Sequence, residues 1–153
     1  MELLKEEFLQ AIEPQFLSQA QTNSVKIRVG LLNKTEHEGF IRDIGRYEVN
    51  LEENGKIVTL LKQEISFVTA LETLLTFAVP TIQDLVDQSN GKPNIQQEFL
   101  DKAKKENQFL SFFLINGQRI KATIEAYDNF TILLREGGRQ HLYYKHSITT
   151  INR

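Results

Sequence analysis

Residues 16–68 of this chain lie over residues 99–151 without a gap when the sequence is slid against itself by 83 positions. Eleven of these 53 pairs are identical, against about three at average residue usage. Phe16 and Leu17 meet Phe99 and Leu100. Asn33 meets Asn116, Ile41 meets Ile124, Gly55 meets Gly138, Lys62 meets Lys145 and Ile65 meets Ile148. Such a repeat constrains the fold more than any local signal, because whatever one copy forms the other should form too. The 153 residues suffice for one average domain or two very small ones.

Apolar positions repeat along with the identities. Ile27, Val29 and Leu31 alternate as Leu110, Phe112 and Leu114 do, and Tyr47, Val49 and Leu51 as Phe130, Ile132 and Leu134 do. A period of two with one apolar face predicts half-buried strands. The turns EENGK and REGGR sit at the same place in each copy, as hairpins require. The fold class is therefore mostly β with short helices. Each copy reads as a helix followed by about five strands, with the second helix over 96–105. Pro14 stands where a helix begins or kinks, leaving room for an extra helix over 2–12. The division is a first domain at 1–72, a linker at 73–93 and a second domain at 94–153. The linker holds Pro80, the amphipathic stretch TIQDLVDQ and an SNGKP turn; it is too apolar for a free tether, so part of it should pack. Domains of this size bury a modest core and end in unpaired sheet edges. Assembly by edge pairing between subunits would relieve both.

Composition excludes several classes. There is no cysteine, hence no disulfide framework, thiolate metal site or cysteine nucleophile. The start, MELLKEEFLQ, has neither the basic head nor the apolar core of a secretory leader. The apolar run Leu74 to Ile82 is short for a bilayer and is broken by Pro80. These features predict a cytoplasmic protein without a membrane partner. Of the three histidines, His37 reads as a surface residue, and His141 and His146, read as one strand, point to opposite faces. No carboxylate cluster, serine–histidine pairing or phosphate-cradling glycine loop is present, so neither an enzyme nor a metal or other cofactor is expected. Net charge is −2, but residues 1–72 carry 8 Lys/Arg against 12 Asp/Glu while residues 93–153 carry 9 against 6. The C-terminal part is the half suited to a polyanion.

That half contains NIQQEFLDKAKKEN, FFLINGQRIKATIEAYDNFTILL and RQHLYYKHSITTI. It resembles Hfq, the bacterial Sm-like RNA-binding family, over essentially all of 94–152, with LINGQ, YDNFTILL and YKHSITTI as the signature stretches. The first copy resembles that family only through its match to the second. The resemblance implies a strongly bent, barrel-like five-stranded antiparallel sheet under an N-terminal helix. It also implies closure of six such domains into a ring that binds single-stranded RNA, both small RNA and mRNA, on two faces and the rim. Two domains per chain then give a homotrimer with alternating copies.

The resemblance further implies a uridine pocket in which Phe130 stacks on the base, Asn129 lines the site, and Gln96, Lys145 and His146 hydrogen-bond to base or sugar. Aromatic, cation and amide are the groups that hold single-stranded RNA. On the other face, Phe113 should stack an adenine beside Gly117, Arg119 and His141; histidine stands at this last position where the family more often has glutamine. Lys104 and Lys105 match a basic rim. In the first copy Arg46, Tyr47, Lys62 and Gln63 form a partial pocket, with Glu13 in place of Gln96. Gly30 and Glu36 stand at the positions of Phe113 and Arg119, so the adenine face should be lost there. The expected role is an RNA chaperone for small-RNA-based regulation. The alternative is a ring-forming scaffold with weakened RNA binding and no annealing activity.

Overall fold

The structure, a computed structural model, describes residues 11–72, 74, 75, 77 and 95–152. The chain forms α1 (Ile12–Thr22), β1 (Ile27–Leu31), β2 (Glu36–Ile44), β3 (Glu48–Glu53), β4 (Lys56–Leu61) and β5 (Ile65–Ala70). It then forms α2 (Ile95–Lys105), β6 (Leu110–Leu114), β7 (Arg119–Tyr127), β8 (Thr131–Glu136), β9 (Arg139–Tyr144) and β10 (Ile148–Asn152). One-turn 3-10 helices at Lys62–Glu64 and Lys145–Ser147 separate the last two strands of each run. Each element of the second run starts 83 residues after its counterpart. The helix foreseen over 2–12 and the stretch TIQDLVDQ lie outside the described residues, apart from Ala11 and Ile12.

The strands join one antiparallel sheet in the order β10-β6-β7-β8-β9-β5-β1-β2-β3-β4. In both runs the fifth strand flanks the first, and the bulges recur: one at Arg42 and Glu125, another between Leu31 and Gly30 and between their counterparts on β6 and β10. Bulges sharpen local twist and bend the strand. The β3–β4 hairpin turns on Asn54 and Gly55, both with φ above zero (52° and 79°). That geometry matches the twist of the flanking strands and favours an Asn-Gly pair.

Between the runs, β5 pairs with β9 through Phe67↔Tyr143, Val68↔Leu142 and Thr69↔His141. Val68 and Leu142 are both buried, and Ala126, Leu133, Leu142 and Tyr144 of the second run belong to the same apolar cluster as Phe16, Leu17, Val29 and Leu51 of the first. The linker's described start packs over this seam. The Leu75 N–H donates to Gln140 Oε1 (2.7 Å), Gln140 Nε2 donates to the Leu75 carbonyl (3.0 Å), and Phe77 stacks on Phe16 with centroids 6.0 Å apart. Among the described residues the sheet does not close, and β4 and β10 are its edges.

Asp128 ties the two runs together at a second place. It is buried, and its Oδ2 accepts the Ile12 N–H at the start of α1 (2.7 Å). Its Oδ1 accepts from the N–H groups of Phe130 and Thr131 and from Thr131 Oγ1 (2.8, 2.7 and 3.0 Å). Ala11, at the N-cap position of α1, gives no side-chain cap, so the carboxylate supplies it across 116 residues. A carboxylate there also suits the positive end of the helix dipole. Asp128→Ala leaves buried N–H groups without acceptors, each worth about 1–3 kcal/mol. The variant should unfold at clearly lower denaturant concentration than the parent.

His141 also sits in the seam, with Nδ1 2.6 Å from Thr69 Oγ1 and Nε2 3.2 Å from Glu136 Oε1. Burial holds its pKa below the ordinary 6.5, with Glu136 opposing. The folded chain therefore binds fewer protons here than the unfolded chain, and stability rises with pH. His141's contribution is complete above about 6.5 and is lost as pH falls through the lower folded value. Thermal melts from pH 7.5 to 5 should show this loss, and His141→Gln should flatten it.

Candidate nucleic-acid interface

The clearest cleft with an exposed aromatic straddles the seam. It is lined by Asn129, Phe130, Tyr144, Lys145 and His146 of the second run and by Lys62 and Gln63 of the first. The turn from Asp128 to Thr131 (Asp128 N–H to the Thr131 carbonyl, 3.0 Å) presents Phe130, a residue 78% exposed. An apolar ring held in solvent by a four-bonded buried aspartate is not core packing. The Lys145 N–H donates to the Phe130 carbonyl (2.8 Å), fixing the second 3-10 turn against that loop.

Lys145 Nζ donates to Gln96 Oε1 (2.8 Å). Burial lowers the lysine's pKa, opposed by nearby Asp128. The group that bonds it is a neutral amide, so a phosphate or carbonyl oxygen would find a partly desolvated cationic donor there. His146 Nε2 donates to the Ile65 carbonyl across the seam (2.8 Å), and its ring stacks on Tyr144 at 5.5 Å. It lies in the 3-10 turn and not on the strand. Asn129 is held by Gln97, whose Nε2 donates to Asn129 Oδ1 (3.0 Å); the Gln97 carbonyl in turn accepts from the buried Tyr127 hydroxyl (3.2 Å). Burial raises that hydroxyl's pKa to about 12.

On the other face, Phe113 is half-buried between the buried Phe112 and Leu114, and pairs across strands with Arg119 and Thr150. Gly117 has φ 87° in the β6–β7 turn and Arg119 is exposed beside it. His141 lines a cleft with Phe67, Gln118 and Arg119, its ring nitrogens bonded to Thr69 Oγ1 across the seam and to Glu136 Oε1 on the adjacent strand. The first run departs from the expected loss in an instructive way. Gly30 pairs with Phe67 where Phe113 pairs with Thr150, and the Phe67 ring fills the space a Cβ on Gly30 would take. An aromatic covers the position but comes from the neighbouring strand, and it packs on Tyr143 with centroids 5.3 Å apart.

At the rim, Lys105 is exposed and paired with Asp101 one turn earlier (2.9 Å), and Lys104 is partly buried. In the first run Lys62 Nζ is 2.8 Å from Glu13 Oε1, and the Arg46 guanidinium carbon lies 5.4 Å from the Tyr47 ring centroid. Lys62 and Gln63 face the Phe130 cleft. His37, expected at the surface, is partly buried and bonded to Glu53 (2.9 Å), which draws the carboxyl below its usual range. Among the described residues no group of three His, Asp or Glu could hold a metal ion, and no helix is long and apolar enough to cross a membrane. Sequence reasoning missed Asp128 as the organiser and Gln97 as the support of Asn129. An aspartate opening a D-N-F-T turn was the available signal for the first.

A helix before five antiparallel strands, with the fifth beside the first and an aromatic–cation cleft at the strand ends, defines an Sm-like domain of the RNA-binding kind. The profile of the Hfq protein family matches residues 95–153. "RNA-binding protein Hfq" of Carboxydothermus hydrogenoformans is 44% identical over 63 residues, covering 41% of this chain and 74% of that protein. Its namesake in Bacillus licheniformis is 46% identical over 57 residues, covering 37% and 78%. A crystal structure described as "the pleiotropic translational regulator, Hfq" is 38% identical, covering 39% of this chain and 100% of its own, with a TM-score of 0.39. The chain belongs to the Hfq family.

Proposed function

We propose that this protein binds U-rich single-stranded RNA in the seam cleft, as an RNA chaperone serving small-RNA-based regulation, on a cytoplasmic ring of three chains. The observation that carries the reading is the exposed Phe130 ring beside Lys145, whose hydrogen-bond partner is a neutral amide. Base stacking with an adjacent cation and amide is how single-stranded RNA is held. Gln96, Asn129, Lys145 and His146 complete the uridine pocket, with Lys62 and Gln63 reaching in across the seam. Phe113, Gly117 and Arg119 offer an A-rich strand a surface on the other face, and Lys104 and Lys105 a rim contact.

The ring follows from the two open edges. By the 83-residue offset β4 is the counterpart of β9, and β10 of β5, so the edges of two chains match as β9 and β5 match within one. Moving that register by 83 pairs Leu60 with Thr150, Thr59 with Ile151 and Val58 with Asn152 of the next chain. Ile57 and Leu61 on β4 are 57% and 48% exposed, whereas Gln140 and Tyr144, at the same places on β9, are buried. An open cleft lined by Pro14, Ser18, Gln21, Asp43, Gly45 and Arg46 lies, by the 83-residue offset, at the first run's counterpart of the place where Ile12 docks on Asp128. It suits the start of α2 from a neighbour. Gly45 replaces the capping Asp128, but the Glu48 carboxylate fills the space of its missing side chain.

Titration with oligouridine and oligoadenine tests the reading. Binding should be micromolar or tighter, and log K should fall with log salt by about 0.7 per phosphate contacted. Absence of oligouridine binding at low salt supports the scaffold alternative, to which the Glu13–Lys62 pair lends weight.

A further inference from the structure

We infer that the two aromatic positions of the repeat are not equivalent: Phe130 stacks a base, while Tyr47 is closed to bases by its own neighbour Arg46. The inference rests on the proposed uridine pocket and predicts one base site per chain instead of two.

The difference arises one residue before each aromatic and is set by the helix above. In the second run Asn129 is drawn to α2 by Gln97, so the face of Phe130 stays open. In the first run the counterpart of Gln97 is Pro14, which has no amide to offer. The counterpart of Asn129 is Arg46, and its guanidinium lies over the Tyr47 ring at 5.4 Å. Tyr47 is 67% exposed, so burial does not force the contact. Attraction of a cation to the face of an aromatic ring does. A base can stack on that face only by displacing the arginine.

The lysine beside each aromatic differs in the same sense. Lys145 Nζ rests on the amide oxygen of Gln96, and Lys62 Nζ on the carboxylate of Glu13, both at 2.8 Å. Glu13 and Gln96 are counterparts, as are Lys62 and Lys145. The change from amide to acid cancels the charge that a phosphate would meet at Lys62. Each of the two elements beside Tyr47 thus satisfies the site from within: the 3-10 turn lysine by a helix acid, the ring by a loop arginine. Around a six-domain ring, open and self-filled sites alternate.

Equilibrium dialysis against uridine monophosphate at saturation counts the sites. The parent chain should bind one per chain; Phe130→Ala should lose it and Tyr47→Ala should leave it unchanged. Two sites per chain, one of them lost in Tyr47→Ala, overturns the inference. The variant Arg46→Asn with Glu13→Gln gives the first run the second run's residues at exposed or half-buried positions. It should gain one site per chain that a further Tyr47→Ala removes, and no gain overturns the lock. A parent chain that binds no uridine sinks the proposed function instead, and the double variant then still decides whether Arg46 and Glu13 hold Tyr47 shut.

Discussion

Phe130→Ala should weaken oligouridine binding by about tenfold to a hundredfold while leaving the fold and the assembly intact. The magnitude follows from base–aromatic stacking, worth about 1–3 kcal/mol per base, with several sites acting on one strand. The fold should survive because Phe130 contributes its backbone to the turn and little of its side chain to the core; Asp128 Oδ1 bonds its N–H, and Lys145 its carbonyl. Fluorescence anisotropy of a labelled oligouridine, with circular dichroism as the control, measures both. Binding equal to the parent's would move the uridine site elsewhere. Lys145→Ala should lower affinity too and flatten the salt dependence, since it removes a charge and not a stacking surface.

Much of this arrangement was legible in the sequence, for a physical reason. Strand periodicity and hairpin turns are local, and an offset of 83 carried every element from one run to the other. The Phe130, Lys145 and Gln96 constellation was legible through the resemblance to Hfq. What stayed hidden depends on contacts between distant segments. Pairing of 65–70 with 139–144 leaves no local trace, so nothing near His141 in the sequence announces its bond to Thr69 across the seam. The move of an aromatic ring from β1 to β5, with Gly30 beneath Phe67, reads in sequence as simple loss. The bond of Gln97 to Asn129, which has no counterpart where Pro14 and Arg46 stand, lies between a helix and a loop some thirty residues apart. It becomes visible only when the two runs are overlaid in space.

Thr59→Lys should break the ring into single chains without unfolding them. Thr59 is exposed on the edge strand β4, where a lysine costs a lone chain little. In the proposed ring it would face Ile151 of the next chain, the place where Leu142 faces Val68 inside one chain, and both of those residues are buried. A lysine there would be taken out of water opposite an apolar partner, at a cost of several kcal/mol unless it escapes to solvent, repeated at each of three seams. Sedimentation should give three times the single-chain 17.7 kDa for the parent and 17.7 kDa for the variant. Thr59→Leu makes the opposite case. It restores the apolar pair that the inner seam already has, and a favourable cross-strand pair adds roughly 0.2–1 kcal/mol per seam. The trimer should then persist to lower protein concentration than the parent's. A parent of one chain, or a Thr59→Lys variant still of three, would mean that the edges do not pair in the register of the inner seam. If the register holds, the inner seam is the stronger one. It alone has the Leu142–Val68 contact, the Gln140 bonds to the linker and the Asp128 cap on α1. Rings should therefore come apart between chains and never within one.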